Sequence, residues 1–398
     1  MDRFAIQHIE TNWLVVREHI RMNEFPHKIE QCVWELTSRC NMRCLHCGTR
    51  GGQARREELT GFECISIAEQ LIEQGCQQVT LIGGEVLLYE GWEKIARLLS
   101  DEGVSVNVVT NGFLSGRRQI AQLHFSRPAS VDVCIDGMQA SHNRLRRVPG
   151  SFTRAVNLLG LLVHEGFSVG VITSLLKFNV DDLPNMYDML VGEGAKTWQI
   201  RLAPPLGELA VSPDLLLRPE RVSEITRFIA QKRAAGRIQI CAGDDIGYFD
   251  RHESLLRCHP LPSTSWRGCQ AGLRSVAIDS AGNIRGCHSL ADDRFIEGNL
   301  RTQTLGEIWR RPKAFAYNRR FHKRLLEGQC SGCDKGDLCR AGCRSICFFT
   351  TGKLYDNPYC CYRPTTGVQL VARKRRAKPQ PGQARRQITK PASARPHA

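Results

Sequence analysis

Between residue 29 and about residue 236, short β-branched runs alternate with stretches whose apolar positions recur at helical spacing. The repeat is roughly 25 to 35 residues, the period of strand–helix units feeding a parallel sheet. Six units are legible. Their predicted strands are Gln31 to Thr37, Gln78 to Ile82, Ser105 to Thr110, Val131 to Ile135, Phe167 to Thr173 and Thr197 to Leu202. The first helix carries its own start and stop signals. Thr60 and Glu63 have capping-box spacing, Ile65, Ala68, Leu71 and Ile72 mark one face, and Gly75 ends it. Further helices are predicted near Trp92 to Glu102, Ser151 to Glu165, Asp181 to Glu193 and Pro219 to Ala235.

Composition narrows the class. A chain of 398 residues, 42% hydrophobic and 24% charged, reads as a globular protein with two or three domains. The longest apolar run, Leu158 to Val163 with Gly160 inside it, is far too short to span a bilayer. No export pattern opens the sequence at Met1-Asp2-Arg3, so a cytoplasmic protein is expected. In that setting 18 cysteines point to metal rather than disulfides. The formal charge of +15 sits largely in the end of the chain, where Arg373 to Arg395 holds nine Lys or Arg and no acid. Such a proline-bearing tail is expected to be a solvated extension, not a nucleic-acid contact.

Chemistry enters at Cys40-Asn41-Met42-Arg43-Cys44-Leu45-His46-Cys47, directly after the first predicted strand. Iron–sulfur cubes are normally held by four thiolates, so three neighbouring thiols leave one iron open to another ligand. A zinc loop would need a fourth ligand, and His46 is poorly placed because it abuts Cys47. The CxxxCxxC spacing resembles the signature of the radical S-adenosylmethionine (SAM) superfamily. That resemblance implies a 4Fe-4S cluster on Cys40, Cys44 and Cys47 whose free iron binds the amino and carboxylate groups of SAM. It also implies a partial (β/α)6 TIM-like barrel, with the site at the C-terminal ends of the strands.

Other segments carry the same resemblance. Gly83-Gly84-Glu85 after the second strand looks like the family's GGE motif, with Val86 where proline is usual. Gly83 and Gly84 would bring backbone close to SAM and Glu85 would pair with its ammonium group. Thr110-Asn111-Gly112 and Cys134-Ile135-Asp136-Gly137, with His142, Arg146 and Gly150-Ser151-Phe152, resemble further segments of these enzymes. Asn111 and Asp136 are candidates for ribose, adenine or substrate contact; as residues alone they could equally be turn formers bonding their own backbone. His46 is expected to pack on the adenine side, and Cys134 to be a buried thiol.

A second array lies downstream: Cys269, Gly282 followed by Cys287, then Cys330, Cys333, Cys339 and Cys343, with Cys347, Cys360 and Cys361 beyond. Its spacing, together with Gly298-Asn299-Leu300 and Leu305 to Trp309, resembles the SPASM extension of radical SAM enzymes. Ser275 to Ile278 and Ile284 to Cys287 flank a glycine turn and predict a β-hairpin. The resemblance implies two auxiliary 4Fe-4S clusters, making three in all. The first would use Cys269, Cys287 and Cys343, with Cys258 a candidate fourth ligand. The second would use Cys330, Cys333, Cys339 and a late cysteine, Cys361 or Cys360 in preference to Cys347. Cys32, Cys64, Cys76 and Cys241 are read as buried thiols.

The expected organisation is therefore an extension over 1–28, a barrel over 29–240, a cysteine-rich SPASM domain over 241–364 and a basic tail over 365–398. The resemblance implies an enzyme that cleaves SAM reductively and modifies a ribosomally made peptide or protein, for instance by thioether or carbon–carbon crosslinking. It would draw electrons from a flavodoxin- or ferredoxin-like donor. Some relatives add a leader-binding domain; 28 residues are too few for one, so a separate leader-binding protein is a further candidate partner. Two other maturation chemistries share the array. An anaerobic sulfatase maturase usually has Asp after its GxxxxC cysteine, where this chain has His288; a heme or quinone-cofactor maturation enzyme has no such mark against it. A non-catalytic iron–sulfur electron carrier is opposed by the intact three-thiol loop and GGE segment.

Overall fold

The computed structural model describes residues 27–49, 51–257 and 266–362. Most of the expected N-terminal extension, the basic tail and Cys258 lie outside these residues. The described chain forms one open sheet of ten strands, in the order β10-β9-β8-β1-β2-β3-β4-β5-β6-β7. Its body is parallel: β1 (Gln31–Glu35), β2 (Gln78–Ile82), β3 (Ser105–Thr110), β4 (Ser130–Cys134), β5 (Val169–Leu175), β6 (Thr197–Leu202) and β7 (Gln239–Ala242). The six expected strands are present, displaced by up to two residues at their ends. The seventh, β7, was not expected: four residues reading Gln-Ile-Cys-Ala are too short to show a period.

The crossover helices are α1 (Gly61–Glu73), α2 (Trp92–Asp101), α3 (Arg117–Ser126), α4 (Gln139–Arg146), α5 (Ser151–His164), α6 (Leu183–Gly192) and α7 (Val222–Ala234). Helices α3 and α4 are additions to the sequence reading. Both are strongly polar, with Arg117, Arg118 and Gln119 opening one and Gln139 to Arg144 almost free of apolar residues opening the other. The capping box on α1 forms as expected, Glu63 N–H donating to Thr60 Oγ1 at 3.3 Å and Thr60 N–H to Glu63 Oε2 at 2.7 Å. Its buried face comprises Cys64, Ile67, Ala68 and Leu71, about one position round from the face expected, with Ile65 and Ile72 only partly buried. Trp34, Trp92 and Trp198 are fully buried in the main core, each worth a few kcal/mol of burial.

The expected hairpin is present as β8 (Ser275–Ile278) and β9 (Asn283–Arg285), extended by β10 (Gly298–Asn299). What periodicity could not show is that β8 pairs in parallel with β1, Ser275 opposite Gln31 and Ile278 opposite Trp34. The hairpin thus prolongs the barrel sheet on the far side of β1. Two later helices, α8 (Leu305–Arg310) and α9 (Arg344–Thr351), pack beneath it. Cys241, read as a buried thiol, is instead disulfide-bonded and partly exposed. Among the described residues, no helix is long and apolar enough to cross a membrane.

Candidate cofactor site and cysteine array

The chain leaves the sheet after Glu35 and is pinched into a loop by two backbone bonds, Cys40 N–H to Gly52 O at 2.9 Å and Gly52 N–H to Ser38 O at 2.8 Å. Cys40, Cys44 and Cys47 all lie inside this loop, partly exposed. Backbone amides already aim at two of the sulfurs: Met42 N–H at Cys40 Sγ over 3.4 Å and Gly51 N–H at Cys47 Sγ over 3.3 Å. Burial pushes the Cys44 thiol up to about 11, opposed by the Arg146 guanidinium. Such thiols bind metal by giving up their protons, so iron must displace them. Among the described residues, no three His, Cys, Asp or Glu side chains converge on a single-ion position. A cube places each thiolate on a different iron, so its ligands stand further apart than those of one ion.

The turn after β2 docks on this loop through backbone alone. Gly84 N–H donates to Thr37 O at 2.6 Å and Glu85 N–H to Arg39 O at 2.8 Å. Glu85 is 1% exposed. Its carboxylate accepts from Thr110 Oγ1 at 2.8 Å, Asn111 N–H at 2.7 Å and Leu87 N–H at 3.2 Å. Burial nevertheless pushes its carboxyl up. Asn111 in turn reaches the cluster loop, donating from Nδ2 to Asn41 Oδ1 at 2.7 Å and lying 3.8 Å from Cys40 Sγ. Thus Gly83-Gly84-Glu85 and Asn111, far apart in sequence, meet at one wall of the three-thiol loop.

The opposite wall is ionic. Asp136, 1% exposed at the end of β4, accepts from Arg146 Nη2 and from Ser174 N–H, the latter at 2.7 Å. Despite burial, Arg146 holds the carboxyl below its usual range. The Asp136 N–H donates to His142 Nδ1 at 3.1 Å, and His46 Nε2 stands 3.9 Å from Asp136 Oδ2. Burial pushes His46 down to about 4 and His142 to about 3, so both rings are neutral at physiological pH. Cys134 lies in the same group, its thiol pushed up to about 11 by burial.

Two cysteine groups form in the second array. Cys343 is pushed up by burial and then by the proximity of Cys269, with Cys287 a further contributor. Tyr248 Oη accepts the Cys343 N–H at 3.0 Å and fixes that backbone. Cys330, Cys333, Cys339 and Cys360 line one cavity, with Leu326 and Gln329 on its wall. Cys361 does not line it; its thiol faces Asp250 and Thr226. Cys347, fully buried, donates to Ala341 O at 3.1 Å. His288, next to Cys287, turns toward the barrel interior, its Nε2 3.6 Å from Glu35 Oε2.

Sequence reading did not single out Arg201 or Asp245. They stand at the ends of β6 and β7, Asp245 with one buried oxygen that has no hydrogen-bond partner among the described residues and its carboxyl raised to about 6 by burial, against the pull of Arg201. Arg201 also acts on His46 and on Cys287. It therefore stands within electrostatic reach of both the three-thiol loop and Cys287. The available signal was a charged residue at each C-terminal strand end.

Comparison with known proteins agrees with this geometry. Residues 34–190 match the model of the radical SAM superfamily and residues 269–334 that of an iron–sulfur cluster-binding domain, SPASM. The chain is 28% identical over 357 residues to the AdoMet-dependent heme synthase of Methanosarcina barkeri, covering 87% of this chain and 99% of that protein. It is 28% identical over 327 residues to the mycofactocin maturase MftC of Mycolicibacterium smegmatis, covering 82% and 80%. Its fold is similar to that of Streptococcus suis SuiB bound to S-adenosylmethionine, with a TM-score of 0.65 at 13% identity, covering 87% of this chain and 80% of that one. With a three-thiol loop after the first strand of an open parallel sheet and a hairpin and cysteine-rich region beyond it, this chain carries a radical SAM domain followed by a SPASM iron–sulfur cluster-binding domain.

Proposed function

We propose that this chain is a peptide-modifying radical SAM/SPASM enzyme, acting in the cytoplasm on a ribosomally made peptide or protein. The observation that carries the reading is the pinched loop presenting Cys40, Cys44 and Cys47 between a backbone wall and an ionic wall. Those three thiolates would hold one 4Fe-4S cluster. Gly83, Gly84, Glu85, Asn111, Asp136 and His46 would bound the SAM pocket, Glu85 acting chiefly through the Thr110 and Asn111 groups it fixes. Cys269, Cys287 and Cys343 would hold a second cluster; Cys330, Cys333, Cys339 and Cys360 a third. When bound, these groups supply reductive cleavage of SAM to a 5′-deoxyadenosyl radical that takes a substrate hydrogen, and a sink or source for the remaining electron. The chain's own part is to exclude water and to hold the substrate between the strand ends and the auxiliary array. A flavodoxin- or ferredoxin-like protein would supply electrons, and a leader-binding protein could deliver the peptide.

MftC, a named maturase, supports a maturation role, and the crystal structure of S. suis SuiB bound to its precursor peptide SuiA has this fold accommodating a peptide in that protein. The decisive experiment is anaerobic reconstitution with iron, sulfide and SAM under strong reductant. We expect 5′-deoxyadenosine and methionine from the wild type. The Cys44→Ala variant should give neither while keeping iron in the C-terminal array. Absence of both products from the wild type would refute the reading, and loss of all iron from the variant would refute separate sites. Co-expression with any short peptide encoded beside the gene should then change that peptide's mass.

A second reading, formation of heme, is favoured by the match spanning 99% of the M. barkeri heme synthase. It requires the purified protein to yield heme. A peptide mass change without heme formation excludes it.

A further inference from the structure

Arg146 ends α4 with 7% of its side chain exposed. Its Nη2 donates to Asp136 Oδ2, and its Nη1 lies 3.9 Å from the sulfur of Cys44. Its Nε is buried with no partner among the described residues, leaving a donor for an acceptor that the loaded site would bring. Asp136 is in turn anchored from behind by Ser174 N–H and by Asn179 Nδ2 on its carbonyl oxygen at 2.8 Å. The neighbouring imidazoles of His46 and His142 are neutral, so they do not share the role of the guanidinium. Carboxylate, guanidinium and cysteine sulfur thus stand in a row, with the cation in the middle.

We propose that Arg146 is a positioning residue that sets the reduction potential of the cluster on Cys40, Cys44 and Cys47, with Asp136 as its opposing charge. Reduction adds one electron to a cluster already carrying three thiolates. A buried cation beside one of those sulfurs stabilises the more negative state, and burial limits the screening that water would provide. The Asp136 carboxylate, on the far side of the guanidinium, opposes reduction more weakly because it is further from the sulfur. No proton moves and no bond is made; the electron comes from the external reductant. Removing the two charges should therefore shift the potential in opposite directions, which a merely structural role for the pair would not do.

The inference rests on the three-thiolate cluster proposed above. The test uses the full chain, reconstituted anaerobically, with the midpoint potential read by electron paramagnetic resonance before SAM is added. The relevant signal is the one that changes when SAM is later supplied. Arg146→Met should lower the ratio of reduced to oxidised cluster about tenfold at a fixed poise, a shift of about 59 mV to more negative potential. Arg146→Lys, which keeps the charge, should restore most of that ratio. Asp136→Asn should raise the ratio, and the double variant, which leaves no unpaired buried charge, should fall between the two. If Arg146→Met fails to assemble the cluster, the Asp136→Asn and double variants carry the comparison. Unchanged potentials, or shifts of the same sign in both single variants, overturn the inference. A wild type with no SAM-responsive signal would instead overturn the proposed function.

Discussion

A Cβ on Gly84 would stand 2.4 Å from the carbonyl oxygen of Arg39, the residue directly before the first cysteine of the three-thiol loop. The contact is with backbone, so no side chain can swing away to relieve it. The sequence reading assigned this glycine to close approach of a ligand; the approach it permits first is that of the cluster loop itself. We expect Gly84→Ala to push the segment before Cys40 outward at a cost of about 1–3 kcal/mol. The variant should bind less iron in the SAM-cleaving site and form little 5′-deoxyadenosine. Iron and product yields equal to the wild type would show that the loop tolerates the displacement.

Cys360 and Cys361 are neighbours with different surroundings, the first lining the cavity of Cys330, Cys333 and Cys339 and the second facing Thr226 and Asp250. A cube on the cavity would be lost with its ligand. We expect Cys360→Ser to bind about four fewer irons per chain than the wild type, and Cys361→Ser to bind as many. Iron and sulfide analysis of the two purified variants decides the matter. The reverse pattern would move the cluster off this cavity.

Much of the barrel and the three-thiol loop were legible because their signals are short-range. Three cysteines within eight residues, the Thr60 and Glu63 cap, and the β-branched runs of β2 and β3 can each be read in a window. What escaped the sequence is what depends on distance. The parallel pairing of β8 with β1 joins residues far apart in the chain and leaves no periodic mark on either strand. The approach of Arg146 to Cys44 spans 102 positions. Spacing left Cys360 and Cys361 side by side as candidates; only the three-dimensional course of the chain puts Cys360 on the cavity of Cys330, Cys333 and Cys339.

The same long-range pairing brings Glu35, 1% exposed, against the hairpin. Its Oε1 is held by Arg55 Nη1 and by the Ser280 N–H at 3.3 Å, while Arg55 also donates to Ser280 Oγ. Arg55 therefore ties the end of β1, the post-cluster segment and the turn after β8 together. Its side chain is 36% exposed, so water already screens part of the pair. We expect Arg55→Ala to destabilise the fold by roughly 3 kcal/mol, the low end for stranding a buried carboxylate. Adding Glu35→Gln should recover part of that loss. Thermal unfolding of the wild type, single and double variants provides the comparison, and equal losses in both variants would place the cost elsewhere.

A half-buried carboxyl away from both cysteine arrays offers a test of pH dependence. Asp132 of β4 lies opposite Gly170 of β5, where a Cβ would meet its Oδ1 at 2.0 Å, so the missing side chain is what makes room for it. Burial raises this carboxyl from 3.8 to about 6, opposed by a 3.3 Å hydrogen bond from Ser130 Oγ. Because the folded value lies above the unfolded one, the stability it contributes is complete below pH 3.8 and drains away as pH rises to about 6. An amide cannot ionise and suffers no such loss. Asp132→Asn should therefore match the wild type near pH 4 and exceed it above pH 6, by up to about 3 kcal/mol. Thermal unfolding across this range checks the sign. A difference that stays constant with pH would locate the effect in packing beside Gly170 and not in the charge.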